Sequence, residues 1–167
     1  MMTEDLRDPA RRRQSANWHM SFIEFMSLRI RSEQIAAFQP VADAGFARRL
    51  TQYLRNAHAS VIVRLPSGGA SINLIPNAVL SRMVQNGIDR ARGHGLGWES
   101  SLAAFVVIMF VAAPNFDQHP LIKRVLQDDD APPDARIERL WHRISNQNWR
   151  AVEAYYDPNA WGIGNQE

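Results

Sequence analysis

The apolar run at residues 102–113, closed by Pro114, constrains the fold more than any other feature of the sequence. In an α-helix this run rises only about 18 Å, well short of the ~30 Å hydrocarbon layer of a bilayer. A helix that is apolar on every side has to be enclosed by the rest of its own protein. We therefore expect residues 99–113 to form a central helix, with no membrane insertion. The β-branched residues in the run leave a buried strand as an alternative.

Helical periodicity on both sides of this run indicates an all-α fold. Apolar residues recur at three- and four-residue steps in residues 32–54, 80–91 and 137–155. A shorter helix is expected near residues 119–127. Pro40 predicts a kink or a restart of the first helix, because proline removes a backbone hydrogen bond. The pattern as a whole predicts a compact bundle of five or six helices around the central apolar helix.

Residues 59–76 interrupt the helical pattern. Residues 61–63 are β-branched and residues 67–69 (Ser-Gly-Gly) are a turn signal, so a small hairpin is one interpretation. An isolated two-stranded ribbon is only marginally stable in water. We therefore favour an irregular excursion laid over the helices, with the hairpin as the alternative.

The length of 167 residues favours one domain. Residues 1–25 are predicted to form a partly disordered N-terminal extension, which has no apolar stretch of the kind that a secretory signal needs. A single helical domain is predicted for residues 26–157 and a loose C-terminal tail for residues 158–167. Met20 and Met26 are alternative candidates for the true start codon. Because no export signal is visible, we expect a cytoplasmic location.

Charge and cysteine content exclude several classes of function. The chain has 19 basic and 17 acidic residues, a net charge of +2, and Lys123 is its one lysine. This excess is too small to require a polyanionic partner, so nucleic-acid binding is not expected. The absence of cysteine excludes a disulfide framework, a thiolate nucleophile and cysteine-based zinc or iron–sulfur sites.

The five histidines are the candidates for acid–base chemistry or metal binding. None lies in a His-x-x-x-His pair or an HExxH motif, so the spacing of a helix-borne metal site is missing. Asp117 and His119 form the best small constellation, but an aspartate after a turn is expected to cap a helix. We expect Asp89 to be the acidic neighbour of His94 across one turn, but no third group is predicted to orient the imidazole.

The acidic run at residues 128–130 invites a calcium interpretation. An EF-hand loop needs alternating ligands, a central glycine and a terminal glutamate, whereas residues 131–133 here are Ala-Pro-Pro. We therefore expect a solvated loop between helices, with Asp134 capping the last helix. The sequence predicts no catalytic, cofactor-binding or metal-binding residue and no cofactor, so we do not expect an enzyme.

The C-terminal region is rich in aromatic residues. On a helix, Tyr155 and Tyr156 point about 100° apart, so the aromatic side chains cannot all face one core. Exposed Trp and Tyr are the residue types that anchor protein interfaces. We predict a partner-binding surface made of Trp149, Tyr155, Tyr156 and Trp161. Replacing Trp149, Tyr156 and Trp161 with Ala is expected to weaken partner capture and to leave the melting temperature nearly unchanged.

Several short motifs follow one another in order along the chain: Ile30-Arg31-x-Glu33-Gln34, Phe46-x-x-x-Leu50, Gly87-Ile88-x-Arg90-Ala91-Arg92 with Gly95-Leu96, the apolar helix, and Pro114-x-Phe116-Asp117. Over residues 28–145 this order resembles small helical bacterial proteins encoded beside type VI secretion spike, PAAR and adaptor-chaperone genes. Some of those proteins are described as co-chaperones for effector loading. The resemblance carries over no catalytic or binding residue. The excursion and the N-terminal extension are longer here than in the usual form of the family.

The resemblance implies a non-enzymatic accessory or co-chaperone protein of a type VI secretion system. Its partner would be an adaptor chaperone, an effector or both, and it would assist loading onto the spike by shielding an apolar segment. An immunity protein, which neutralises a cognate toxin by direct binding, is the alternative in the same genetic setting. Deletion of a co-chaperone would abolish secretion, whereas an immunity protein would rescue cells that express the toxin alone.

Overall fold

A computed structural model describes residues 39–164, with side chains described from Asp43 onward. The predicted extension at residues 1–25 and the first motif of the resemblance, at residues 30–34, lie outside the described residues. The last residues of the predicted tail also lie outside them. The kink predicted near Gln39–Pro40 falls at their boundary and stays a prediction.

Six α-helices make up most of the described part of the chain. They are α1 (Gln39–Ala57), α2 (Asn77–Gly93), α3 (Glu99–Val111), α4 (Pro120–Leu126), α5 (Pro133–Arg143) and α6 (Asn146–Ala154). Short 3₁₀ turns lie at Ile72–Leu74, Phe116–Gln118 and Pro158–Trp161. The structure confirms a mostly helical protein, but a small sheet means that it is not purely all-α.

A two-stranded antiparallel hairpin occupies the segment for which we expected an irregular excursion, so that expectation is wrong. Strand β1 (Ile62–Leu65) pairs with strand β2 (Gly68–Ser71). The φ angle of Gly68 is 128°, a conformation that side-chain-bearing residues rarely adopt, which explains a glycine at this turn. The hairpin is not an isolated ribbon, because Val63 is fully buried and β1 contacts the 3₁₀ turn Pro158–Trp161.

Helix α3 is buried along most of its length. Every residue at positions 101–110 is buried, and the helix packs against α1, α2 and α5. The apolar run is therefore a buried helix, as predicted, and the strand alternative is wrong. None of the helices in the described part combines the length and the hydropathy of a membrane span.

Helices α2 and α3 approach each other closely at Gly87. A Cβ atom at this position would lie 2.9 Å from Cγ2 of Val106 and 3.0 Å from Sδ of Met109. These distances are shorter than ordinary carbon contacts, so any larger residue would have to displace α3 side chains. Glycine therefore sets the spacing between these two core helices.

Asp134 on α5 caps the start of α3. Its Oδ1 accepts hydrogen bonds from the backbone N–H groups of Gly97 and Trp98, each at 2.9 Å, and from the hydroxyl of Ser101. The expectation that Asp134 caps its own helix is wrong, because Asp134 lies inside the first turn of α5 and its carboxylate accepts from groups at the start of α3. The carboxylate instead ties α5 to the first turn of the buried helix.

The acidic run at residues 128–130 is a loop between α4 and α5, as predicted. Asp128 accepts hydrogen bonds from Arg139 at 3.1 Å and from Arg143 at 2.5 Å, both on α5. The backbone N–H of Asp130, followed by the Arg143 guanidinium, holds the pKa of the Asp128 carboxyl below its usual value. The loop is thus cross-linked to the helix that follows it.

Candidate functional site

The four aromatic residues predicted to bind a partner do not share one exposed surface. Trp161 is fully buried and Trp149 is 5 % exposed, whereas Tyr156 is half-buried and Tyr155 is 49 % exposed. The inference of exposure is therefore wrong for Trp149 and Trp161, because their apolar rings complete the core. Tyr155 is the member of the set that a partner can reach most readily.

Trp161 belongs to the core and holds the C-terminal segment in place. Its ring packs on Phe110 of α3, with 4.7 Å between the ring centroids. Its indole N–H donates to the carbonyl oxygen of Arg64 at 3.0 Å, and its own carbonyl accepts from the Asn86 amide at 2.9 Å. The prediction of a loose tail is therefore wrong for the turn Pro158–Trp161.

Tyr156 closes the outer edge of β1. Its hydroxyl accepts from the backbone N–H of Arg64 at 2.9 Å and donates to the carbonyl of the same residue at 3.0 Å. The Arg64 guanidinium carbon lies 4.1 Å from the centroid of the tyrosine ring. Burial raises the pKa of the Tyr156 hydroxyl above its ordinary value, which favours the protonated form that donates this hydrogen bond.

Trp149 joins the last two helices. Its ring on α6 stacks on that of Trp141 on α5, with 5.5 Å between the centroids and 27° between the planes. Ser145 caps α6 by accepting a hydrogen bond from the backbone N–H of Asn148. Trp149 therefore has a packing role between helices.

Exposed apolar side chains occur at positions that the sequence reasoning did not single out. In the described part of the chain, four large apolar residues are exposed: Ile62, Leu74, Trp98 and Tyr155. Trp98 is 61 % exposed and is held rigidly, because its backbone N–H donates to Asp134 and its carbonyl accepts from Leu102 N–H at 2.9 Å. Trp98 stands just before α3 and belongs to the apolar face of neither α2 nor α3. This position is the sequence signal that could have identified it as exposed.

A buried carboxylate, Asp117, lies at the centre of a polar cluster. It accepts hydrogen bonds from the Arg90 guanidinium and from Nε2 of His94, the latter at 2.9 Å. Arg90 also donates to the carbonyls of Pro114 at 2.5 Å and Ala160 at 3.2 Å. The expectation that Asp117 caps a helix is wrong. Its carboxylate instead ties the segment before α4 to Arg90 and His94 at the end of α2, and Arg90 extends the link to Ala160 after α6.

The cluster also changes the interpretation of His94. We expected Asp89 to be its acidic neighbour, but Asp89 accepts from the Gln85 amide at 3.0 Å. Asp117 takes that role, and the His94 ring packs near Phe105 with 5.6 Å between the centroids. An imidazole held by a carboxylate is a component of acid–base sites. Here the carboxylate also binds Arg90, so the arrangement works first as an ionic cross-link.

The remaining described histidines lie apart from this cluster. His58 is buried beside Tyr53, and its Nε2 has no hydrogen-bond partner among the described residues. Burial lowers the pKa of the His58 imidazole. His119 packs edge-on against Tyr155 with 5.5 Å between the ring centroids, and His142 is exposed. Within residues 39–164, no three acidic or histidine side chains are grouped to hold a metal ion.

A groove of about 620 Å³ runs between α1 and α2. On α1 its walls include Arg48 and Arg55, and on α2 they include Arg82. Neutral residues complete the lining: Ala44, Ala47, Thr51, Gln52, Asn77, Ser81 and Gln85. Among the described residues, no carboxylate lines this groove. The sequence reasoning missed it, because the basic residues of one wall are separated from those of the other by the hairpin.

Comparison of the chain with protein-family models, with curated proteins and with solved structures finds no match. The resemblance to type VI secretion accessory proteins therefore stays at the level of sequence pattern. Arg90, Pro114 and Asp117, which carry part of that pattern, meet in the buried polar cluster.

Proposed function

We propose that this chain is a non-enzymatic accessory protein of a type VI secretion system. It binds an adaptor chaperone or an effector in the cytoplasm and assists loading onto the spike. In this proposal the helices form a bundle around α3 that works as a rigid frame for binding. The observation that carries the proposal is the pair of exposed aromatic residues, Trp98 and Tyr155, on a backbone fixed by hydrogen bonds.

Trp98 is the strongest contact candidate. Its indole is largely in solvent, while both of its backbone polar groups are bonded inside the protein. A partner that covers the Trp98 indole gains the free energy of burying it. The backbone of Trp98 is already ordered, so binding has a lower entropic cost. Trp and Tyr are also the residue types that most often dominate interface energies.

Tyr155 is the second contact candidate, and its backbone is equally constrained. Its carbonyl accepts from the Asn115 amide at 2.8 Å, and its N–H bonds to Ala151 and Val152 carbonyls at the end of α6. The His119 ring supports one edge of the phenol. The side chain therefore presents a fixed aromatic face to a partner.

We assign the polar cluster around Asp117 a structural role and not a catalytic one. The carboxylate that orients His94 is 7 % exposed and is shared with Arg90, which also bonds two backbone carbonyls. Removing Arg90 from that arrangement would leave buried groups without partners. The proposal therefore assigns the cluster to the stability of the frame.

The proposal is tested by affinity purification from the native host with the tagged chain, followed by mass spectrometry. We expect the wild-type chain to recover an adaptor chaperone or an effector. The double variant Trp98→Ala/Tyr155→Ala is expected to recover at least about tenfold less, since each anchor contributes more than about 1 kcal/mol. Leu74→Ala, which removes an exposed apolar side chain elsewhere, serves as the matched control and is expected to bind normally.

Genetics separates this proposal from an immunity role. Deletion of the gene is expected to abolish secretion of the partner effector while leaving the host resistant to it. Rescue of cells that express a toxin alone would assign the chain to immunity and overturn the co-chaperone proposal. Equal recovery by the double variant and the wild type would remove Trp98 and Tyr155 from the binding surface.

A further inference from the structure

We propose that the groove between α1 and α2 binds an extended acidic segment of the protein partner. This inference rests on the proposed function for the identity of the partner, but not for the chemistry of the groove. Binding here would be ionic and would involve the backbone of the bound segment. It would therefore be distinct from the aromatic contacts of Trp98 and Tyr155.

The lining residues of the groove lie along one face of each of the two helices. On α1 they recur at three- and four-residue steps over positions 44–55, and on α2 over positions 77–85, so each set lies on one helix face. The α1 face is about 16 Å long at the rise of an α-helix. An extended chain of about five residues has the same length. The small side chains of Ala44 and Ala47 leave room for it.

Two of the three arginines in the groove are available to a ligand. Arg48 and Arg82 are exposed, and neither makes a hydrogen bond or ion pair with another described residue. Arg55 is committed, because its guanidinium donates to the carbonyls of Ile72, Asn73 and Ile75. Arg48 and Arg82 stand on opposite helices, so a carboxylate-bearing segment between them can be held from both sides.

Two described carboxylates on these helices, Asp43 and Asp89, are already engaged. Asp43 accepts from Arg92 at 2.7 Å, and Asp89 accepts from the Gln85 amide at 3.0 Å. Neither carboxylate lines the groove. The excess positive charge in the groove is therefore not neutralised by the described part of the chain, and an anionic ligand complements it.

The remaining lining favours a peptide over a nucleic acid. Thr51 and Gln52 donate to Ala47 and Asn56 within α1, so their oxygen atoms remain to accept from the N–H groups of an extended peptide. The Ser81 hydroxyl can donate to a peptide C=O group. Single-stranded nucleic acids are usually held by aromatic side chains that stack on bases, and no aromatic residue among the described ones lines this groove. The net charge of +2 is also low for a nucleic-acid-binding protein.

The experiment measures fluorescence anisotropy of labelled probes with the full chain. The probes are a short peptide of alternating glutamate and serine, the same peptide with glutamine for glutamate, and a thymidine oligonucleotide of matched charge. We expect the wild type to bind the glutamate peptide and to lose affinity as salt is added. Arg48→Glu/Arg82→Glu is expected to bind it at least about tenfold more weakly. Arg124→Glu/Arg150→Glu, with the same charge change at exposed sites elsewhere, is the matched control.

The outcomes separate the groove from the proposed function. Failure of the wild type to bind the glutamate peptide, equal binding of the glutamine peptide, tighter binding of the oligonucleotide, or equal loss in both double variants would each overturn the groove proposal. If the Arg48→Glu/Arg82→Glu variant recovers the host partner as well as the wild type does, the groove proposal fails and the function stands. If the peptide binds but no adaptor or effector is recovered from the host, the function fails and the groove stands.

Discussion

The Tyr156 hydroxyl bonds both backbone polar groups of Arg64, 92 residues away in the sequence, at 2.9 and 3.0 Å. The Tyr156 side chain therefore bonds the backbone N–H and C=O at the outer edge of β1, as a neighbouring strand would in a larger sheet. Unpaired strand edges are sites of unwanted pairing, and a bonded edge is protected from it. This relationship explains how a hairpin of two short strands persists in a protein that is otherwise helical.

Tyr156→Phe is expected to weaken this closure without emptying the core. The ring remains, but the Arg64 N–H loses its acceptor, at a cost of about 1–2 kcal/mol. Native-state hydrogen exchange at the Arg64 amide should accelerate about tenfold or more. Tyr155→Phe is the control, since the Tyr155 hydroxyl bonds no described residue, and it should leave that amide unchanged. Unchanged protection in Tyr156→Phe would contradict the role given to the hydroxyl.

Trp161→Ala is expected to destabilise the protein strongly. Loss of a buried tryptophan costs about 3–5 kcal/mol, and this one also donates a hydrogen bond to Arg64. Urea denaturation followed by circular dichroism gives the change in free energy of unfolding. Trp98→Ala, at an exposed position, is expected to change it by less than about 0.5 kcal/mol. Equal stability of the two variants would show that Trp161 is not part of the core.

The burial of Trp149 and Trp161 also changes what we expect when Trp149, Tyr156 and Trp161 are all replaced with Ala. Since Trp149 and Trp161 are buried, combining their removal with that of Tyr156 would unfold the protein and weaken partner capture for that reason alone. A loss of binding in such a variant reports on folding rather than on the interface. Variants at Trp98 and Tyr155 avoid this problem.

Gly87→Ala is expected to destabilise the protein by about 1 kcal/mol. Alanine improves helix propensity by about 1 kcal/mol, but its Cβ would meet Val106 and Met109, and overpacking costs about 1–3 kcal/mol. The clash therefore outweighs the propensity. Gly93→Ala, where nothing lies within 4 Å of the new Cβ, should be neutral or stabilising. Thermal melts of both variants test this, and a gain in stability for Gly87→Ala would refute the close approach of α2 and α3.

Asp117→Asn is expected to reduce stability by about 2–3 kcal/mol. The amide has nearly the same shape, but it leaves the half-buried Arg90 without an ionic partner. Asp89→Asn removes an exposed carboxylate from the same region and should cost less than about 0.5 kcal/mol. Denaturant titration of the two variants in parallel gives the comparison. Equal effects would mean that Asp117 is not a structural cross-link.

Stability is expected to fall as the pH drops below about 6.5, with His58 contributing to the loss. Burial lowers the pKa of this imidazole below its ordinary value of 6.5, so the unfolded chain takes up a proton where the folded chain does not. The loss grows as the pH falls through that interval and levels off below the folded-state pKa. Comparing denaturant titrations at pH about 7.5 and about 5, His58→Gln should show a shallower dependence than the wild type. His142→Gln, at an exposed site, should keep the wild-type slope.

The local sequence predicted the helices well, because their signals are local. The apolar run fixed α3, and Pro114 marks where the chain leaves it. Periodicity placed α2 for the same reason. The single last helix expected over residues 137–155 is two helices, α5 and α6, with Ile144 and Ser145 between them. The hairpin was missed because its stability depends on contacts outside the segment: Val63 is buried, and Arg64 is bonded by residues from the other end of the chain.

The predicted partner surface failed for a related reason. Aromatic content marks residues that need burial or a partner, but the sequence does not say which of the two applies. Trp161 contacts Phe110 and the Arg64 carbonyl inside the protein. Both residues are distant in the sequence, so neither contact produces a periodic pattern around Trp161. Asp117 bonds the Arg90 and His94 side chains and caps no helix, and Asp134 bonds the start of α3 and not of its own helix. The position of an aspartate near a helix start therefore did not identify its partners.

The bond between the Trp161 indole and Arg64 spans 97 residues. A ribosome that adds about 5–20 residues per second needs roughly 5–20 s to travel that far along the message. Until Tyr156 and Trp161 have been made, the Arg64 N–H and carbonyl lack the side chains that cover this edge of β1 in the folded protein. We therefore expect slow translation of the second half of the message to prolong the time during which residues 62–71 can pair with other chains.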